Sequence, residues 1–283
     1  MKAIVYTEYG PPDVLQLKEV EKPAPKDDEV LIRIHATSVN FGDIAARNYG
    51  NISHRDFFMP LPFYLIGGLQ FGFSKPKNTI LGNELAGEIE AVGKDVTSFK
   101  TGDQVFGYPG PQMRCHAEYR CLPEDGPLGM KPANMSYEEA AVVPYSALMA
   151  IDLLRKVGIQ SGQQVLINGA SGGIGSGVLQ LAKHYGAEVA AVCSTPRMEF
   201  VKALGADKVI DYTKEDFTQT GETYDLIVDV LGKSSFSRSK GSLKETGKYV
   251  MTSFKMRDFV DMFRTSFGGG KKAICAILVA KPE

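Results

Sequence analysis

The sequence has little that would take it out of a reducing, aqueous setting. It holds only four cysteines, Cys115, Cys121, Cys193 and Cys275, and no two have Cys-x-x-Cys spacing. So few in 283 residues argue against a disulfide framework. No uninterrupted apolar run reaches transmembrane length. The opening Met1-Lys2-Ala3-Ile4-Val5-Tyr6 runs straight into strand-like alternation, without the apolar run and small-residue cleavage site of a secretory signal. Cytoplasmic localisation is the expectation. Neither sign of charge dominates: 32 basic residues stand against 33 acidic ones, for a net charge of -1. That balance gives no general attraction to nucleic acid or anionic membrane. The four histidines, His35, His54, His116 and His184, form no ligand cluster in the sequence, so no metal is expected. Ser-His-Asp arrangements and paired carboxylates are lacking too.

What is present falls into two textures. From residue 1 to 122 the chain is short-stepped and strand-like, with Ala3–Tyr6, Val30–Ala36, Leu85–Val92 and Gln104–Tyr108 as candidate strands. Turn signals such as Tyr9-Gly10-Pro11-Pro12 and Thr101-Gly102-Asp103 punctuate them. From 123 to 283 strands and helices alternate. Ser136-x-x-Glu139 has the form of a capping box, and Pro144 divides or kinks the helix that follows. Then come strands at Gln164–Asn168, Val189–Cys193, Val209–Tyr212, Leu226–Val230, Tyr249–Thr252 and Ala273–Val279. Helices are expected at Ile174–Tyr185, Arg197–Leu204 and Ser235–Glu245. Six strands in this alternation predict an α/β fold: a mainly β first domain, then a doubly wound parallel six-stranded sheet of the Rossmann type.

The most informative motif is Gly169-Ala170-Ser171-Gly172-Gly173-Ile174-Gly175, between a predicted strand and a predicted helix. A dinucleotide pyrophosphate needs close backbone approach, and the helix N-terminus offers it free N–H groups. Asn168, Gly169, Ser171, Gly172, Gly173, Ile174 and Gly175 are therefore cofactor-binding candidates. The plainer alternative is a Gly-rich turn that only packs a helix on a sheet. An NAD site usually ends its second strand with an acid for the ribose 2′-hydroxyl. Here that strand runs into Ser194, Thr195, Pro196 and Arg197, with no carboxylate before Glu199. Hydroxyls and a guanidinium suit a 2′-phosphate, so NADPH is the expected cofactor; the bland reading makes Ser194 a helix cap and Arg197 a solvated residue. The same glycine loop also resembles that of short-chain dehydrogenases. Those need a Tyr-x-x-x-Lys pair, and the sequence has none.

Taken together, several segments resemble the medium-chain dehydrogenase/reductase superfamily, in its zinc-independent quinone oxidoreductase and enone reductase branch. They include Ser38-Val39-Asn40 with Asp43, Leu81-Gly82-Asn83-Glu84-Leu85-Ala86-Gly87 and Gly102-Asp103-Gln104-Val105-Phe106-Gly107. Ala117-Glu118-Tyr119, the glycine loop, Leu204-Gly205-Ala206-Asp207 and Asp211-Tyr212 complete them. The resemblance implies a GroES-like first domain and NADPH-dependent hydride transfer to a quinone or an α,β-unsaturated carbonyl. It places Asn40 and Asp43 in the catalytic cleft, with Asn40 toward the nicotinamide ribose and Asp43 orienting its neighbours. It gives Arg197 and Tyr212 to the adenosine 2′-phosphate. The loop Val230-Leu231-Gly232 and the segment Thr252-Ser253-Phe254 are placed at the cofactor, past sheet strands. In zinc-dependent relatives a cysteine stands at Asn40 and a histidine at Asn83. Tyr49 and Tyr64 are candidate proton donors by position; as packing residues they would need no such role.

Departures from the family pattern lie at Met149, where a threonine is common, and at Arg114-Cys115-His116. They leave room for a non-catalytic NADPH-binding protein, a redox sensor or a structural protein; a zinc-type alcohol dehydrogenase is the other alternative. The aromatic segment 51–78 reads as an apolar lid, with a folded-over loop or a membrane contact as alternatives. The apolar strand 273–279 is expected to pair two copies into a homodimer. Relatives in the family continue past the point matching Glu283 with a helix and a returning strand. If the chain stops there, an exposed region in the first domain and impaired turnover are expected.

Overall fold

The central strands bury consecutive residues rather than strictly alternate ones. In β3 (Glu29–Ala36), Val30, Leu31 and Ile32 are buried, and Ile89 of β4 (Leu85–Val92) packs with Val30 and Ile32 in one apolar cluster. The computed structural model describes residues 1–57 and 59–276. The chain divides into two compact units, with the division between Tyr145 and Ser146.

The first unit contains β1 (Lys2–Val5) paired antiparallel with β2 (Gln16–Glu19). Its main sheet is antiparallel throughout, in the order β6-β3-β4-β5-β7. Here β5 is Gln104–Gly107, β6 Tyr119–Pro123 and β7 Leu128–Met130. Three helices accompany it: α1 (Phe41–Arg47), α2 (Leu61–Phe71) and α3 (Tyr137–Ala141). Residues 123–145, which the sequence reading gave to the second domain, continue the first unit with β7 and α3. Ser136 caps α3 as the motif requires: its hydroxyl accepts from Glu139 N, while the Glu139 carboxylate accepts from Ser136 N at 2.8 Å. Pro144 falls in the first turn of α4 (Val143–Val157), where a missing N–H costs nothing.

The second unit is a six-stranded sheet, parallel throughout. Its strands are β8 (Gln164–Asn168), β9 (Glu188–Cys193), β10 (Lys208–Asp211), β11 (Tyr224–Asp229), β12 (Leu243–Met251) and β13 (Lys272–Cys275). Their order is β10-β9-β8-β11-β12-β13, the 3-2-1-4-5-6 arrangement of the Rossmann fold. Helices α5 (Gly173–His184), α6 (Met198–Ala203), α7 (Phe236–Ser239) and α8 (Met256–Ser266) connect them. One core joins Val165 and Ile167 of β8, Val189 and Ala191 of β9, and Val178 and Leu179 of α5. Each fully buried valine, leucine or isoleucine among them contributes roughly 1.5–3 kcal/mol.

Two expectations need correction. The helix expected at Ser235–Glu245 stops after α7; a 3₁₀ turn, Lys240–Ser242, follows, and β12 begins at Leu243. Serines compete for backbone hydrogen bonds and Gly241 weakens a helix interior, so the local sequence gives way to strand pairing. Helix α8 was not expected at all; its capping box, in which Asp258 accepts from Lys255 N at 2.6 Å, begins with a lysine rather than a usual cap residue. Of the expected strand 273–279, residues 277–279 lie outside the described residues.

Candidate functional site

In the first unit the chemistry of an N-cap builds the site. Asn40 caps α1: its Oδ1 accepts from Gly42 N at 2.8 Å, and Asp43 returns the bond by accepting from Asn40 N at 3.0 Å. Asp43 is buried, and its second oxygen accepts from Gly82 N at 2.9 Å. Both oxygens are held by backbone, which makes Asp43 a carboxylate that fixes α1 against the Gly82-Asn83-Glu84 segment. The Asn40 amide is occupied as well. It accepts from Asn83 Nδ2 at 3.0 Å and donates to Asn83 Oδ1 and to Glu84 Oε2, the last at 3.0 Å.

Glu84 is the hub that sequence reasoning did not single out as a site residue. It is buried; Ser38 Oγ and Asn40 Nδ2 donate to one oxygen, and Tyr145 N donates to the other at 2.8 Å. A buried carboxylate needs such partners. Its effect reaches two phenols whose rings lie 5.6 Å apart, Tyr108 and Tyr145. Burial, with the charge of Glu84, pushes both hydroxyls above the usual phenol range; the Tyr108–Tyr145 interaction adds to the shift on Tyr108. The signal available for Tyr108 was its place directly after strand β5.

A cavity of about 660 Å³ opens beside α1, lined in part by Thr37, Val39, Asp43, Ile44, Leu81 and His116. Of the four candidate catalytic residues, only Asp43 lines it. Tyr49 sits elsewhere, 1% exposed, with its ring stacked on Tyr64 at 5.3 Å and its hydroxyl donating to the Tyr64 carbonyl. Burial lifts its pKa to about 12. Tyr49 is thus the centre of an aromatic cluster with Tyr9, Phe57 and Phe71. The 51–78 segment therefore has its own small core, while Leu61, Leu65, Ile66, Leu69 and Phe73 stay exposed. Phe58 lies outside the described residues.

In the second unit the glycine loop joins β8 to α5. Gly172 is the N-cap and makes no side-chain cap, so the first N–H groups of α5 have no such partner. A Cβ on Gly173 would meet nothing within 4 Å, whereas one on Gly175 would lie 2.1 Å from Gly169 O. The loop is open outward and tight inward, the shape that a pyrophosphate cradle needs. Asn168, half-buried at the end of β8, donates to Asp229 Oδ1 at 3.1 Å. Ile174 packs on the core. Ser194 stands at the N-cap position of the 3₁₀ turn Thr195–Arg197, but its side chain makes no cap hydrogen bond. Arg197 and Tyr212 are exposed, Tyr212 at 62%. A cavity of about 530 Å³ at the strand ends takes in Gly169, Val192, Tyr212, Leu231, Lys233 and Arg238. Thr252 Oγ1 donates to Val230 O at 2.9 Å, joining the two expected loops. Phe254, by contrast, is 1% exposed with its ring against Phe259.

Two family models match: the alcohol dehydrogenase GroES-like domain over residues 26–152 and the zinc-binding dehydrogenase over 173–280. Over 261 residues the chain is 38% identical to a 2-methylene-furan-3-one reductase of Solanum lycopersicum, covering 89% of this chain and 62% of that protein. It is 36% identical, over 88% of this chain and 62% of the other, to an NADPH-dependent alkenal/one oxidoreductase of Arabidopsis thaliana. The chain thus spans about 62% of the length of these curated relatives. The quinone oxidoreductase of Coxiella burnetii superposes with a TM-score of 0.83 at 30% identity, over 99% of this chain and 83% of that one. The chain belongs to the medium-chain dehydrogenase/reductase superfamily, in its quinone oxidoreductase-like branch.

The zinc in one family description finds no donor set among the described residues of this medium-chain dehydrogenase/reductase family member. Among the described residues no group of three or more His, Cys, Asp or Glu could hold a metal ion. Asn40 and Asn83, at the positions that resemble zinc ligands, bond to each other instead.

Proposed function

We propose that this chain carries out NADPH-dependent reduction of a quinone or an α,β-unsaturated carbonyl, without zinc. One observation carries the reading: the outward-open glycine cradle at α5, followed by a second strand that ends in Ser194, Thr195 and Arg197 rather than an acid. The names of the Solanum and Arabidopsis relatives support the substrate class. Gly169, Gly172, Gly173 and Gly175 would hold the pyrophosphate, and Ser194 and Arg197 the 2′-phosphate. When bound, the nicotinamide supplies hydride to an electrophilic carbon. The chain's own part is positional. Asp43 and Glu84 fix Asn40 within a rigid polar cluster, and a ribose hydroxyl would bind Asn40 by displacing one of its present partners. Proton return comes from water or a hydroxyl. Tyr49 is committed to a backbone carbonyl, which leaves Tyr64, half-buried, as the better of the two proposed donors.

The same reading includes a homodimer formed across β13, an outer strand of the sheet among the described residues, and a reducing cytoplasm, supported by four free cysteines. No helix of the described residues is long and apolar enough to cross a membrane. The test is NADPH oxidation followed optically with a panel of enones and quinones. Turnover supports the reading; tight NADPH binding with no oxidation by any of them sinks it and favours a nucleotide-binding protein.

A further inference from the structure

Asp211 ends β10, beside the end of β9, and is 4% exposed. Nothing in the sequence marked it as a site residue, yet it gathers the hydroxyls at the place where nucleotides are told apart. Its Oδ2 accepts the hydroxyl of Thr195, two residues past β9. Its Oδ1 accepts from Thr213 Oγ1 at 2.7 Å and Thr213 N at 3.0 Å. The two threonine hydroxyls lie 3.2 Å apart, and Lys214 Nζ stands 3.6 Å from Oδ2.

A hydroxyl has one proton. Asp211 is ionised and can only accept, so the protons of Thr195 and Thr213 are spent on it, and both hydroxyls offer only lone pairs to a ligand. Lone pairs suit a ribose 2′-hydroxyl, which donates; they add nothing to a 2′-phosphate, which needs donors. The carboxylate also places a negative charge one side chain behind that position.

We infer that Asp211 is a positioning residue that sets nucleotide selectivity, holding the Thr195 proton away from the ligand and so reducing the advantage of NADPH over NADH. The proposal rests on the nucleotide-binding reading above. Arg197 and Ser194 favour the phosphate, and Asp211 opposes them, so the chain accepts both nucleotides with a modest preference.

The test is fluorescence titration of wild type and Asp211→Asn with NADPH and with NADH. In the variant the carboxamide nitrogen can donate to Thr195 Oγ1, which frees the threonine proton. NADPH binding tightens by about tenfold, the scale of one hydrogen bond to a charged group, while the NADH constant stays within about twofold. Adding Thr195→Val to Asp211→Asn reverses the gain, because the freed proton is gone. A purely structural role moves both constants together and leaves their ratio unchanged, which overturns the inference; so does a gain that survives Thr195→Val. Wild type binding neither nucleotide overturns the function reading and this inference with it. Should Asp211→Asn fold poorly, Thr195→Val in the wild-type background supplies the ratio: it removes lone pairs that only the 2′-hydroxyl uses, so NADH affinity falls while NADPH affinity holds. An equal fall in both affinities counts against the inference.

Discussion

Asn40 and Asn83 face each other amide to amide: Asn83 Nδ2 donates to Asn40 Oδ1 at 3.0 Å, and Asn40 Nδ2 donates back to Asn83 Oδ1. Replacing Asn83 with alanine takes one partner from each end of the Asn40 amide. The expected cost is about 0.5–1.5 kcal/mol of stability, the net worth of a hydrogen bond, because Gly42 N and Glu84 still hold the two ends of Asn40. Urea unfolding measures it, and turnover with a fixed enone should fall more steeply than NADPH affinity.

A Cβ on residue 175 would collide with the backbone carbonyl of Gly169 at 2.1 Å and with Ala170 Cα at 2.9 Å. No flexible side chain can yield there, so the cradle itself must shift. Gly175→Ala should weaken NADPH binding by at least about tenfold, or ~1.4 kcal/mol, in a fluorescence titration. Far-UV circular dichroism should stay close to that of the parent protein.

Burial holds the thiols protonated. Cys121 is pushed up to about 11 and Cys275 to about 12, and burial raises Cys115 and Cys193 as well. Only the thiolate reacts, so at pH 8 Cys121 presents about one reactive form in a thousand. Iodoacetamide at that pH should label the native protein slowly at all four sites and the urea-unfolded protein quickly. Fast labelling of the native state would contradict the burial seen here.

Acid stability follows from Asp211. Hydrogen bonds from Thr195 and then Thr213, with Lys214 nearby, hold its carboxyl at about 2, below the ordinary aspartate value. A depressed folded-state pKa contributes stability that is fully present above the unfolded value of about 3.9 and is lost as pH falls toward 2. Wild type should therefore lose thermal stability between about pH 4 and pH 2, and Asp211→Asn should lose less over the same window. Equal slopes in the two melting-temperature profiles would refute the assignment.

Much of this was readable beforehand where local and long-range demands agree. The glycine loop follows a strand with a continuous apolar run and opens a helix with a clear apolar face, so Gln164–Asn168 and Gly173–His184 could be placed to within a residue. Ser136 and Glu139 announced α3 through capping alone. The rest depends on partners far away in the chain. Leu243 becomes a strand residue because β11 is there to pair with it, against a serine-rich stretch that looks helical. Glu84 and Asp211 are legible only as acids; their roles come from Asn40, Ser38 and Tyr145 in one case and Thr195 and Thr213 in the other. Tyr49 is the reverse case, a phenol whose position suggested chemistry until its hydroxyl was seen bonded to a carbonyl.

Helix α2 has two adjacent glycines at its centre, where a helix is weakest on its own account. A Cβ on Gly68 would strike the Phe73 ring at 2.0 Å, and one on Gly67 would lie 3.0 Å from the Tyr49 ring. The helix is therefore held by the rings it rests on rather than by its own backbone preference. Its inner side is fixed to within a methyl group, while its outward residues, Leu61, Leu65 and Leu69, bear none of that constraint. Changes of shape or polarity on the outer side can accumulate without disturbing the seat beneath, so this segment gives the fold a surface that can be refitted while the nucleotide half stays as it is.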